Sequence, residues 1–227
     1  HTIYNIKKMD IVSEKKDDFV IQAYALLNLL TTAPFSMKEM ETIIDDSNGE
    51  FPTTLPRDRL IEIRNYTEGF SPSIKEKALE AVDFLEALYF KTYDVSLKKQ
   101  VLSEILSTHR GEKIAIIVPK AYYAVILKKS LKYHMTTPKV QIYTANKFDS
   151  TIMYDRIVVL GDIVGKRFNV FKCKAAPCID VMLYEYEKQL FGFKKHKAFE
   201  MDRKYNRRLN ILPVEELSDD IKYLEDD

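Results

Sequence analysis

At Lys113 the apolar residues of this chain stop recurring at helical spacing and begin to come in short β-branched runs, separated by segments long enough for helices. That alternation is the pattern of a parallel sheet, because parallel neighbours need a long crossover between them. Four strands are expected, at residues 113–118, 140–143, 156–160 and 179–183. The first is a continuous apolar run closed by Pro119, as suits a strand covered on both faces. Residues 121–133 are the expected crossover helix, and residues 184–205 a long closing helix. The fold class is therefore α/β. A helical N-terminal region, 1–110, precedes a small doubly wound parallel-sheet domain, 111–212, and an acidic tail, 213–227.

The helical region shows its own punctuation. Ser13 is placed to cap a helix over 13–31, with Phe19, Val20, Ala23, Tyr24, Leu27 and Leu30 on one side and Pro34 at its end. Ser36 and Glu39 have capping-box spacing ahead of Met37, Met40, Ile43 and Ile44. Residues 45–56, with Asn48-Gly49, read as a loop, and 57–66 as a short helix ended by Gly69. Ser73 and Glu76 suggest a second capping box before a stripe of Ile74, Ala78, Ala81, Val82, Leu85, Leu88 and Tyr89. A further helix carries Leu97, Val101, Leu102, Ile105 and Leu106, with Gly111 as its stop. Residues 1–13 have little pattern and begin without methionine, so the chain reads as a piece of something longer.

With 227 residues and 46% apolar composition, the chain has material for one sizeable core. Its longest apolar windows fall far short of the roughly 20 residues a membrane-spanning helix needs, and residues 1–10 lack signal-peptide features. A cytoplasmic chain is expected. Cys173 and Cys178 are too few for a disulfide framework and have no second pair to complete a zinc site, so no metal or cofactor is expected.

In an open parallel sheet, ligands bind outside the carboxyl ends of the strands. That rule nominates Thr144 and Asn146 after the second strand, and Gly161, Asp162, Lys166 and Arg167 after the third. Two glycines and two bases across 161–167 suit a phosphate, although neither G-x-x-x-x-G-K-[ST] nor G-x-G-x-x-G is present; alternatively, Gly161 merely lets the chain turn. Asp149 and Asp155 flank Tyr154 without partners from other strands, and the histidines at 1, 109, 134 and 196 fall in different elements and read as surface residues. No catalytic set is therefore assigned.

Charge is distributed unevenly behind a net of only +1. Residues 188–208 hold eight Lys or Arg against two acids, a net of +6; residues 213–227 hold seven acids against Lys222, a net of −6. Lys194, Lys195, Lys197, Arg203, Lys204, Arg207 and Arg208 alternate with Phe191, Phe193, Phe199 and Tyr205, a mixture suited to phosphate contacts and base stacking. The same pattern also describes a solvated helix whose aromatics pack inward.

The stretches GEKIAIIVP at 111–119, VQIYTAN at 140–146 and YDRIVVLG at 154–161 resemble the second RecA-like motor domain of superfamily 1 and 2 helicases. The run IDVMLYEYE at 179–187 resembles helicase-like components of anti-phage defence systems such as the DISARM E-type proteins. The arginine motif Q-x-x-G-R-x-x-R of such motors is not matched by YNRR at 205–208. The resemblance implies a RecA-like or Rossmann-like sheet, nucleic acid as a partner, and no ATP turnover without the missing ATPase half. Two rivals remain: a protein-interaction module of a multi-protein assembly, and a small enzyme that takes a phosphorylated ligand at 161–167.

Overall fold

The computed structural model describes residues 2–8, 14–47, 51, 53–131 and 139–208, except for the side chains of 186, 202 and 205–208. The Ser13 cap, Asn48-Gly49, residues 132–133 and the acidic tail lie outside the described residues. The chain divides into two compact units, His1–Leu183 and Tyr184–Asp227. The change of period at 110–111 falls inside the first unit, where helices and sheet share one apolar core.

The helical part begins with α1 (Thr2–Lys8), where the sequence shows no periodicity. Seven residues are too few for a helical period to register, and the helix exists because Ile3 and Ile6 bury against its neighbours α2 (Glu14–Thr32) and α5 (Pro72–Tyr93). In α2 the buried face includes Leu26 and Leu29 besides the expected Phe19, Val20, Ala23 and Leu30. At α3 (Met37–Asp45) the capping box is formed: Ser36 Oγ accepts the Glu39 N–H at 3.2 Å, and Glu39 Oε2 accepts the Ser36 N–H at 3.0 Å. α4 (Pro56–Tyr66) starts with proline at its first position and runs into a single 3-10 turn, Thr67–Gly69.

Two expectations fail at helix ends. The box at Ser73 and Glu76 does not form, because the N-cap of α5 is Ser71 and Pro72 supplies the first helical residue. Proline's fixed φ favours that place, which draws the start of the helix two residues upstream. The apolar stripe itself is as expected, with Ile74, Ala78, Ala81, Val82, Leu85 and Tyr89 buried. α6 (Leu97–Thr108) ends at His109 rather than at Gly111, and Gly161 is the one glycine among the described residues with positive φ.

The sheet follows. β1 (Ile114–Val118), β2 (Val140–Thr144), β3 (Arg156–Val159) and β4 (Cys178–Val181) are all parallel, in the order β2-β1-β3-β4. Every residue of β1 is buried. Burying Ile114, Ile116, Ile117 and Val118 contributes roughly 6–12 kcal/mol before conformational entropy is counted. The chain leaves β1 toward β2, then returns to the other side of β1, so its direction reverses between β1 and β3. Among the described residues only the first crossover is helical, α7 (Ala121–Ser130). α7 packs on β1 and β2 and joins them to the helical part. Tyr123 carries that junction: its ring meets Phe35 edge-on at 5.2 Å, and its hydroxyl lies 3.0 Å from Thr32 Oγ1. Burial pushes that hydroxyl's pKa well above the ordinary value.

No described helix is by itself long and apolar enough to cross a membrane. α2 and α3 together reach that length and composition, but they meet at a 109° bend. The apolar residues Phe19, Val20, Ala23, Leu26, Leu29 and Leu30 of α2 belong to the core.

Candidate functional site

Parallel strands bring all their carboxyl ends to one edge, and the reversal between β1 and β3 opens that edge where the loops diverge. The loop after β2 turns at once, with the Lys147 N–H donating to Thr144 O at 2.9 Å. After β3, Gly161 takes φ +111°, a conformation that L side chains rarely adopt. A short ribbon follows: Val164 bridges Asn169, and the Gly165 N–H donates to Phe168 O at 2.9 Å.

The two loops meet. Asn146 Oδ1 accepts the Lys166 N–H at 2.9 Å, and Gly165 packs against Ala145 so closely that a Cβ there would stand 2.6 Å from the Ala145 Cβ. Buried Phe148 and Phe168, edge-on at 5.2 Å, underlie the junction. Thr144, Asn146, Gly161, Asp162, Lys166 and Arg167 thus belong to two loops that the fold ties together. Their chemistry is narrower than the sequence suggests. The N–H groups of Ile163, Gly165 and Lys166 donate to Gly161 O, Phe168 O and Asn146 Oδ1, so those backbone donors are already engaged. What the loop presents outward is the exposed side chains of Val164, Lys166 and Arg167.

At the opposite edge lies a cluster that sequence reasoning missed. Arg156 opens β3, with Nε donating to Glu112 Oε2 at 3.1 Å and Nη1 to Asp180 Oδ2 at 2.5 Å; Nη1 also lies 2.9 Å from Cys178 Sγ. His109 Nδ1 lies 2.6 Å from Glu112 Oε1. The hydrogen bond from His109 and then the Arg156 guanidinium hold the Glu112 carboxyl below its ordinary pKa. Asp180, by hydrogen bond, raises that of Arg156. His109 is therefore a paired, half-buried residue rather than a surface one. The network spans strands far apart in sequence, so no local spacing announces it.

The carboxylates considered together in the sequence are employed separately. Asp149 Oδ1 accepts the N–H and hydroxyl of Thr151, whose hydroxyl bond is the largest cause of its lowered pKa, while Asp155 Oδ2 accepts the Lys113 N–H at 2.6 Å. Cys173 and Cys178 are free thiols. Among the described residues, no three His, Cys, Asp or Glu side chains are grouped to hold a metal ion.

The second unit contains α8 (Glu185–Arg208). Its entry is fixed by Glu187, whose Oε2 accepts the Tyr184 N–H at 2.8 Å, and two acids in the first turn suit the helix dipole. Lys194, Lys195, Lys197, Arg203 and Lys204 are exposed; Arg207 and Arg208 are helical, their side chains outside the described set. The aromatics do not all turn inward, since Phe193 is 65% exposed and Phe199 39%, and the aliphatic Leu190 and Met201 are exposed with them. At about 100° per residue, Leu190, Phe193, Lys194, Lys197, Met201 and Lys204 share an arc of roughly 100° that contains no acidic position. The sequence held this signal in its spacing, which a count of charges does not extract.

The class these observations define is a mixed α/β protein with a helical region on a four-stranded parallel sheet, followed by a basic helix. The sequence matches no protein-family model, and no curated protein is significantly similar to it.

Proposed function

We propose that the chain is a helicase-like nucleic-acid-binding module of the cytoplasm, without ATPase activity of its own, that works beside a partner supplying the ATPase half in a multi-protein defence assembly. The observation that carries this reading is the arc of α8, where exposed Lys194, Lys197 and Lys204 alternate with exposed Leu190, Phe193 and Met201. Lysines placed this way neutralise backbone phosphates, and an uncovered aromatic offers a surface on which bases stack. Lys195 and Arg203 add charge on the far side of α8, outside the arc, and Arg207 and Arg208 extend the basic sequence. Lys166 and Arg167 at the strand edge provide a second, weaker phosphate contact. With neither glycine motif present, nothing in the chain is assigned to a nucleotide.

Fluorescence anisotropy with labelled single-stranded DNA, duplex DNA and RNA, titrated across salt, tests the proposal. The expected result is binding that weakens steeply with salt and is lost in the Lys194→Glu/Lys195→Glu/Lys197→Glu variant. Absence of binding at low salt overturns it. The exposed apolar residues of the arc favour the alternative in that event, a protein-interaction module, whose binding would be insensitive to salt.

A further inference from the structure

We infer that α8 of one copy of this chain packs antiparallel along the exposed side of α5 of a second copy, and that two such reciprocal contacts close a dimer. The inference does not rest on the nucleic-acid reading. It starts from α5, whose inner stripe, from Ile74 to Tyr89, is buried in the core. On the outer side Glu76, Glu80, Asp83, Ala87 and Phe90 follow one another at spacings of 4, 3, 4 and 3, and all five are exposed. At about 100° per residue they share an arc of roughly 80°. That is the spacing with which one helix meets another. Phe90 is 66% exposed, so a large aromatic at one end of the line stands mostly in solvent. Asp83 is held only loosely inside the chain: Arg64 reaches it at 3.4 Å but reaches Glu86 at 2.8 Å.

The arc of α8 supplies the complement. Leu190, Phe193, Lys197, Met201 and Lys204 are spaced by 3, 4, 4 and 3 and are likewise exposed. Each line covers the same length, about 21 Å of helix. With the helices antiparallel and Phe90 set opposite Leu190, Ala87 meets Phe193, Asp83 meets Lys197, Glu80 meets Met201 and Glu76 meets Lys204. The apolar ends coincide, opposite charges pair at two positions, and the small side chain of Ala87 leaves room for the Phe193 ring. A parallel arrangement sets Glu76 against Leu190 and Phe90 against Lys204, so charge and apolar surface decide the direction.

Phe90 and Phe193 are each about two-thirds exposed within a single chain, so a second copy supplies the cover for both. A two-fold axis brings each α8 onto the other copy's α5. Both complementary lines are then used and no sticky surface is left over, which closes the assembly at two.

Sedimentation velocity on the nuclease-treated full chain, run from low to high protein concentration, tests the contact. The native chain is expected to pass from monomer to dimer as concentration rises. Glu76→Lys/Asp83→Lys and Lys197→Glu/Lys204→Glu each set like charges against one another, and each variant alone should associate at least about tenfold more weakly. Mixed in equal amounts, the two variants should regain the dimer, because every α5 then faces an α8 of opposite sign. Lys195→Glu/Arg203→Glu changes the net charge on the far side of α8 and should associate as the native chain does. All these positions are exposed, and circular dichroism confirms that each variant is folded. A native chain that stays monomeric, reversals without effect, a mixture that remains monomeric, or species larger than a dimer overturn the inference. So does association that nuclease abolishes, since nucleic acid then bridges the copies. Oligothymidylate binding by Glu76→Lys/Asp83→Lys, whose α8 is native, decides the nucleic-acid reading separately.

Discussion

Arg156 and Asp180 are joined across β3 and β4 by an Nη1–H···Oδ2 bond of 2.5 Å, and the Nε of the same guanidinium reaches Glu112 beside β1. One side chain thereby ties three parallel strands near the start of the sheet. Lysine carries the charge without the planar fork and cannot serve both carboxylates from that position. Arg156→Lys is expected to lower unfolding free energy by about 1–2 kcal/mol, the lower range for charged hydrogen bonds because Asp180 is partly exposed. Urea unfolding measures it, and a variant as stable as the parent would show that the fork contributes nothing.

Gly165 has no room for a side chain. A Cβ there would lie 2.6 Å from Ala145 Cβ, 2.8 Å from Asn146 Oδ1 and 2.9 Å from the Ala145 carbonyl carbon. Because one of these atoms is backbone, relief requires the two edge loops to separate. Gly165→Ala is expected to cost about 1–3 kcal/mol and to expose residues 145–148 to hydrogen exchange. Unchanged exchange would contradict the coupling of the loops.

Glu41 is a buried carboxylate whose Oε1 accepts the Tyr89 hydroxyl at 3.0 Å and the Arg57 N–H at 3.1 Å. Tyr89→Phe removes one donor and leaves the charge in place. The expected loss is about 1.5–3 kcal/mol, the range for a hydrogen bond to a charged group. Calorimetry on the variant checks it; a transition temperature equal to the parent's would be incompatible with the role given to Tyr89.

Acid should weaken this fold. Glu112 is held below its usual value of 4.5 by His109 and Arg156. In Glu39, burial pushes the carboxyl up, but Lys99, the Ser36 N–H and Ser130 bring it lower overall. A carboxyl depressed in the folded state contributes stability that is present above its unfolded pKa and disappears as pH falls through the folded one. The loss therefore sets in below about pH 4.5. Glu112→Gln should flatten the fall of the urea midpoint with pH, and parallel curves for variant and parent would exclude Glu112 as a contributor.

Phe193 separates stacking from packing. It is 65% exposed, so Phe193→Ala should change stability by no more than about 0.5 kcal/mol. If bases stack on α8, the same change weakens single-stranded DNA binding by about 1–3 kcal/mol and leaves the salt slope alone. An affinity equal to the parent's would remove Phe193 from the interface.

Periodicity is a local property, and it carried what is local. The apolar runs of β1 and β3, the stripe on α5 and the box at Ser36 follow from residues a few positions apart, because each element must bury one face and satisfy its own ends. α1 and the start of α5 escaped that reading, since a seven-residue helix is too short to show a period and proline at position 72 outweighed a plausible cap two residues later. For the candidate site, the sequence by itself determined which residues follow the strands and where basic charge accumulates. Only the tertiary structure decided that β1 lies between β2 and β3, and with it the meeting of Asn146 with Lys166, the crowding at Gly165 and the tie from Arg156 to Asp180 and Glu112. Those pairs are 20 to 44 residues apart along the chain, and no spacing encodes them. They exist because a shared core of buried side chains fixes the strands in one order, and the strand order then brings their partners within reach.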